Sequence, residues 1–339
     1  MNNTPSILAI KPLGFMWPTT NPFLFCAHHL DIYPKGNADL GPAVSLAGRD
    51  LGQDFTPKDG WRMYHGQKVP GFPVHPHRGF ETITIVRQGF VDHSDSHGQA
   101  GRYSAGDVQW MTGGSGLQHC EMFPLLHAES ENPTELFQVW LNLPRSKKFT
   151  EPYFRMLWRE DIPKHEISDI NGRVTEIDVI AGSYHQINAL PPAPDSWAAD
   201  PGNEVAVYTI RMDADAQWII AAAGEMVNRT IYFHVGSAIT INGTLIESSK
   251  AIVVSPNQEL TITNGNTESQ LLLLQGKPIE EPVVQYGPFV MNSQVEIQQA
   301  MSDYRQTEFG GWPWPNREMV HPGNKGRFAK YRNGKEEIR

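Results

Sequence analysis

The feature that most constrains this chain is a succession of short apolar or alternating runs separated by turn residues. "FETITIV", "DVQWM", "LFQVWLNL", "VAVYTIRM", "RTIYFHV", "AITI", "AIVV", "ELTIT" and "QLLLLQ" are each four to eight residues long. Glycine (30 residues) and proline (26) punctuate them throughout. Runs of this length, alternating with period two between turn signals, predict an all-β chain with mostly antiparallel strands, folded as a sandwich or barrel. Asn242-Gly243 and Asn264-Gly265 read as two-residue hairpin turns. Helical spacing is confined to "SQVEIQQAMSDYRQ", where Val295, Ile297, Met301 and Tyr304 recur at intervals of two to four.

A length of 339 residues is comfortable for two domains. Strand signals thin out across "PRSKKFTEPYFRMLWREDIPKHE", which places the boundary there. The expected division is an N-terminal domain at 1–145, a linker at 146–165, a C-terminal domain at 166–295, and a helix with a tail at 296–339. The basic tail "NKGRFAKYRNGKEEIR" reads as a solvated, frayed terminus.

Net charge of −9 provides no general drive toward nucleic acid or anionic lipid. Cys26 and Cys120, the only cysteines, exclude a disulfide framework. The opening "MNNTPSILAIKPLGFMW" lacks the basic region and apolar run of a secretory signal, and stretches such as "WIIAAAG" are too short to cross a bilayer. A cytoplasmic protein without direct nucleic-acid or membrane contact is expected.

Two segments concentrate the potential chemistry. In "GFPVHPHRGFET", an extended chain projects His75, His77 and Glu81 from one side, continued by Ile83 and Ile85. A single histidine on an apolar face is ordinarily a hydrogen-bonded core residue. Two converging imidazoles are harder to bury without a shared partner. In "GDVQWMTGGSGLQHCEMF", Leu117, His119, Glu121 and Phe123 share one face and Cys120 points away. Two such strands assemble three imidazoles and a carboxylate. That donor set suits Fe(II), Mn(II), Ni(II) or Cu(II) better than a structural zinc. Parity alone leaves the fourth ligand open between Glu81 and Glu121. His28 and His29, adjacent and so on opposite faces, read as surface or loop residues. His93 and His97 flank a polar turn. The C-terminal half, with His165, His185, His234 and His321 and no H-x-H or H-x-E pair, reads as a metal-free β-domain. Trp110, Trp140, Phe80 and Phe123 are candidates for an aromatic pocket wall, with packing the equally simple account.

At these segments the sequence resembles the cupins, and more closely the pirin family within them. "GFPVHPHRGFETIT", "HSDS", "GDVQWMTGGSG", "HCEM", "LFQVWLNLP" and "EPVVQYGPFVMN" are similar to pirin signatures. The resemblance implies a bicupin carrying its metal, iron, in the N-terminal domain. It carries the ligand role to His75, His77, His119 and Glu121, whereas many other cupins use the residue matching Glu81. Cys120 stands where family members commonly have serine. The segment from Cys26 to Gly66 is longer than in shorter pirins.

For activity, the resemblance implies an Fe(II)-dependent dioxygenase that opens the ring of a flavonol such as quercetin with O2, Glu121 accepting the substrate proton. It also implies an alternative: an iron-containing, redox-sensing regulator that binds a protein partner without turnover. A cupin with another metal, such as zinc or manganese, and isomerase chemistry is the third class.

Overall fold

The computed structural model describes residues 5–339, which form two compact units that are each discontinuous in sequence. Residues 28–139, 143–159 and 281–339 make the unit that carries the histidine segments. Residues up to Ala27, with 140–142 and 160–280, make the second unit. The division expected from strand density was contiguous. It differs because density locates strands but not the sheets they join, and both ends of the chain pair far from their neighbours in sequence.

The first ten strands are β1 (Ile7–Pro12), β2 (Phe23–Tyr33), β3 (Gly71–His77), β4 (Phe80–Gln88), β5 (Phe90–Asp95), β6 (Ala100–Ser104), β7 (Val108–Thr112), β8 (Leu117–Met122), β9 (Asn132–Asn142) and β10 (Tyr153–Leu157). The site-bearing unit has a five-stranded sheet, ordered β10-β7-β4-β9-β2. Its other sheet has six strands, ordered Glu336–Ile338, Phe328–Lys330, β6, β5, β8, β3. Neither closes into a barrel, so the all-β fold is realised as a sandwich.

β3 and β4 belong to different sheets, although the sequence reads through them as one alternating run. The break is at Gly79, whose φ is +86° and where an added Cβ would lie 2.0 Å from the Val290 carbonyl oxygen. Only glycine meets both conditions without strain. Lys148 Nζ secures the turn by donating to the carbonyls of Gly79 (2.8 Å) and Val290 (3.0 Å).

Gln118 and Cys120, on the face of β8 turned away from the other sheet, are fully buried because the C-terminal segment lies over them. Gln118 Nε2 donates to Gly311 O (2.7 Å), and Tyr304 Oη donates to Gln118 Oε1 (3.0 Å). Helix α1 (Gln294–Thr307) supplies Tyr304. It starts at the capping serine Ser293, which accepts from Glu296 N–H while Glu296 Oε2 accepts from Asn292 N–H. Ile297 and Ala300 face inward against Phe289, Met291 and Phe309; Val295 is exposed.

The basic tail is not a frayed end. Phe328–Lys330 pairs with β6, and Arg102 fastens the preceding loop. Arg102 Nε and Nη2 each reach Asp92 at 2.7 Å, and the guanidinium also donates to the carbonyls of His321, Pro322 and Lys325. All five donors are spent in a fully buried position. Composition made the tail look solvated; its aromatic and aliphatic positions and this acceptor set order it.

The second unit stacks a seven-stranded sheet, with β1 at one edge, and a four-stranded one. They enclose a core that includes Trp218, Phe233, Ile252 and Leu273. Asn242-Gly243 forms the expected hairpin turn, with φ of 46° and 81° between paired strands Ala238–Ile241 and Thr244–Glu247. Asn264-Gly265 does not. Asn264 Nδ2 instead donates to the carbonyls of Met212, Asp213 and Thr267, pinning the point where the chain leaves one sheet for the other. No helix among the described residues is long and apolar enough to cross a membrane.

Replacing Arg102 by Met leaves Asp92 a buried, unpaired charge and frees three carbonyls. The expected loss of stability is about 3–5 kcal/mol, read by urea unfolding, together with faster proteolysis within residues 311–339. Unchanged unfolding and proteolysis would contradict this role.

Candidate metal centre

β3 and β8 are antiparallel neighbours in a register that sets His75 opposite His119 and His77 opposite Leu117. β5 lies on the other side of β8, with Asp95 opposite His119 and His93 opposite Glu121. Residues opposed across a ladder share a face, so His75, His77, His93, Asp95, His119 and Glu121 all project from one side of the sheet. Close approach at the start of β3 depends on Gly71, where a Cβ would lie 2.4 Å from the Glu121 carbonyl oxygen.

One candidate ligand atom from each of His75, His77 and His119 lies within 4.8 Å of the other two. His77 and His119 are buried and His75 is partly so. Burial pushes the His75 imidazole down to about 4, and holds His77 and His119 well below the ordinary histidine range, with the neighbouring rings adding to it. Neutral imidazoles are the form that binds a cation.

The hydrogen bonds around the rings aim them. His75 Nδ1 is 2.8 Å from the Pro73 carbonyl, an acceptor, so Nδ1 carries the proton and Nε2 the lone pair. His93 Nε2 is 3.2 Å from Asp95 Oδ2, and His93 Nδ1 is 3.4 Å from His119 Nδ1. A carboxylate accepts, so a neutral His93 donates from Nε2 and accepts from His119 Nδ1–H. His119 Nε2 is then left with a lone pair, and this buried nitrogen has no hydrogen-bond partner among the described residues. A buried polar atom of that kind is costly unless a further group meets it. The three-imidazole set therefore fits a divalent transition metal.

The two carboxylates differ in place. Glu121 Oε2 is 3.8 Å from His119 Nε2, and the carboxylate accepts from Gln138 Nε2 (2.7 Å) and Thr84 Oγ1 (3.2 Å) on the opposite sheet. Burial raises its carboxyl above the ordinary range, against the lowering pull of His93 and of these donors. Glu81 belongs to β4 and accepts from Thr112 Oγ1 at 2.7 Å. Cys120 points away and is buried among Val69, Met122 and the 312–320 segment, its thiol pushed up to about 12 by burial.

Sequence reasoning missed the Asp95–His93–His119 chain. The alternation of "VDHSD" already put His93 and Asp95 on one face; only the pairing of β5 with β8 shows that it is the same face as His119. His29 was also misread as a surface or loop residue. It is buried against Tyr64, Phe72 and Phe123, its imidazole driven down to about 3 by burial. The long segment from Cys26 to Gly66 has a visible task. Asp31 anchors it through Arg62 and Tyr64 Oη (2.6 Å), and Tyr64 and His65 pack on Phe72, which meets the edge of His75. Of the four candidate pocket aromatics, Phe80 and Trp110 are fully buried packing residues, Phe80 against His77.

A family model described as "Pirin" matches residues 49–141, and one described as "Pirin C-terminal cupin domain" matches residues 207–310. Pirin-1 of Arabidopsis thaliana is 36% identical over 242 residues, spanning 71% of this chain and 78% of that protein. The chain belongs to the pirin family. Human pirin is 32% identical over 249 residues, spanning 73% of this chain and 80% of that one. Among solved structures, a quercetin 2,3-dioxygenase from Acinetobacter baumannii superimposes with a TM-score of 0.69 at 27% identity, spanning 90% of this chain and 98% of that one. This pirin is thus an all-β protein of two cupin domains with a histidine-rich centre in the first.

The hydrogen-bond chain makes a specific demand on metal affinity. His93→Phe keeps the ring stacked on Phe154 but removes the acceptor for His119 Nδ1. Affinity for Fe(II) or Ni(II), measured by chelator competition, is expected to fall about 10–100-fold. Unaltered affinity would mean that His93 does not orient His119.

Proposed function

We propose that this pirin is an Fe(II)-dependent dioxygenase that opens the ring of a flavonol, or of a related enolic aromatic, with O2, as a quercetin 2,3-dioxygenase does. The observation that carries the reading is the convergence of three neutral imidazoles beside a buried carboxylate. The likeness to the Acinetobacter baumannii enzyme supports it.

His75, His77 and His119 would hold the ion, with Glu121 as fourth ligand. Bound iron supplies Lewis acidity toward the substrate oxygen and a redox-active centre for dioxygen. The protein's part is positional and acid–base. Pro73 O and the Asp95–His93 pair fix the faces of two rings. Gln138 and Thr84 hold Glu121 from the opposite sheet. Because burial raises the affinity of Glu121 for a proton, it is suited to accept the hydroxyl proton of the flavonol. Glu81, bonded to Thr112 in the other sheet, has a structural role in this reading.

Anaerobic reconstitution with Fe(II), then oxygen-electrode assay with quercetin, tests the proposal. Wild type is expected to take up oxygen with loss of the flavonol spectrum. His119→Ala should retain no stoichiometric iron and show no turnover. Glu121→Gln should lower kcat about 10²–10⁴-fold, whereas Glu81→Gln should keep iron and most activity. A second reading rests on relatives whose names state no reaction, the Arabidopsis thaliana and human pirins. In it the iron reports redox state to a protein partner. Full iron loading with no oxygen uptake on any flavonol, alongside partner binding that changes with iron oxidation, would replace the enzyme with that regulator.

A further inference from the structure

The second unit contains a cavity of its own, about 530 Å³ in volume, that has no part in the metal centre. Its floor is the inward face of three adjacent strands. Arg229 is opposite Gln275 in the ladder, and Tyr208 is opposite Leu273 two residues further along the same face. Tyr184, Ile220 and Ala222 extend the apolar wall.

Arg229 is the anomaly. It is 96% buried, yet its guanidinium makes no ion pair with a carboxylate among the described residues. Nε donates to Gln275 Oε1 (2.7 Å) and Nη1 to Ala221 O (3.0 Å). Gln275 is held in that orientation by its own Nε2 bond to Glu204 O (3.1 Å). Both acceptors are neutral, and three of the five N–H donors of this cavity-lining residue have no acceptor among the described residues. Desolvation of this charge works against its cationic form, and an arginine stays protonated regardless. Of the acidic groups on the wall, Glu204 acts on Arg229 only at a distance, as a charge that favours the cation, and neither it nor Asp200 bonds to the guanidinium. Glu204 accepts from Gly224 N–H (2.9 Å) and faces Lys277 (3.7 Å), and Asp200 accepts from Gly202 N–H (2.8 Å).

We propose that this cavity is a binding site for a small organic carboxylate, received by the free edge of Arg229, with its apolar body against Leu273, Ile220 and Ala222. The planar fork of a guanidinium matches two carboxylate oxygens. A single arginine beside an apolar wall, with the nearby lysine already engaged, suits a carboxylate better than a phosphate. Volume of this size accommodates a ligand of one or two rings.

Isothermal titration of the full chain with benzoate tests the site, with benzamide as the neutral isostere and inorganic phosphate as the competing anion. Benzoate is expected to bind at one site per chain with a Kd of about 1 mM or tighter, and benzamide not at all. Arg229→Met should weaken benzoate about 10–100-fold. Ala222→Trp fills the cavity from its exposed rim while leaving Arg229 and its acceptors intact, and should do the same, so the test survives if the arginine variant fails to fold. His75→Ala alters only the first unit's centre and should leave benzoate binding unchanged. Absence of saturable benzoate binding, indifference to Ala222→Trp, a preference for phosphate, or loss of binding in His75→Ala would each overturn the proposal.

Discussion

The register between β3 and β8 is the constraint on which the site depends. It sets His75 across from His119, and the period of two then brings His77, Glu121 and, through β5, His93 to the same face. Slipping either strand by one residue would turn Cys120 and Gln118 inward and carry the imidazoles to the outer face. Two features guard against that slip. Gly71 and Gly79 allow the close approach and the turn that begin and end β3, and the C-terminal segment bonds to Gln118 on the outer face. The site is therefore specified by backbone pairing first and by side-chain chemistry second.

Burial then converts that geometry into a preference for a cation. Three rings held neutral by desolvation, with one ring nitrogen left without a partner, gain little from water and much from a metal. Glu121 lies in the same enclosure, and its donors come from β4 and β9 of the facing sheet, so the two sheets share the task of fixing one carboxylate. The second unit has the same kind of interior face without the histidine pairs. It carries a buried arginine there instead, a fixed positive charge of the protein's own.

Much of this was legible in the sequence. Alternation identified the strands, the H-x-H and H-x-E spacings gave a shared face, and Asn242-Gly243 named its turn correctly. Helix α1 was legible from its spacing, although Val295 proved to be exposed. What failed had a common cause: information carried by long-range pairing. The run from His75 to Ile85 looked like one strand because a change of sheet at Gly79 leaves the alternation intact. The parity of Glu81 with His77 was for that reason no guide to position. The tail looked solvated because its charge was visible and the buried donor that holds its carbonyls, Arg102, was not identifiable as such. Asn264-Gly265 has hairpin composition, but the asparagine amide is spent on three carbonyls at a sheet crossing. His93 was set aside because its partner lies 26 residues away, on a strand whose neighbour only the fold reveals.

Anomalous diffraction at the iron edge, from crystals grown anaerobically with Fe(II), examines the central claim most directly. The account predicts one strong peak in the first unit, within bonding distance of ring nitrogens from His75, His77 and His119 and of a Glu121 oxygen. A peak bound elsewhere, or no peak while those rings hydrogen-bond to one another, would contradict it.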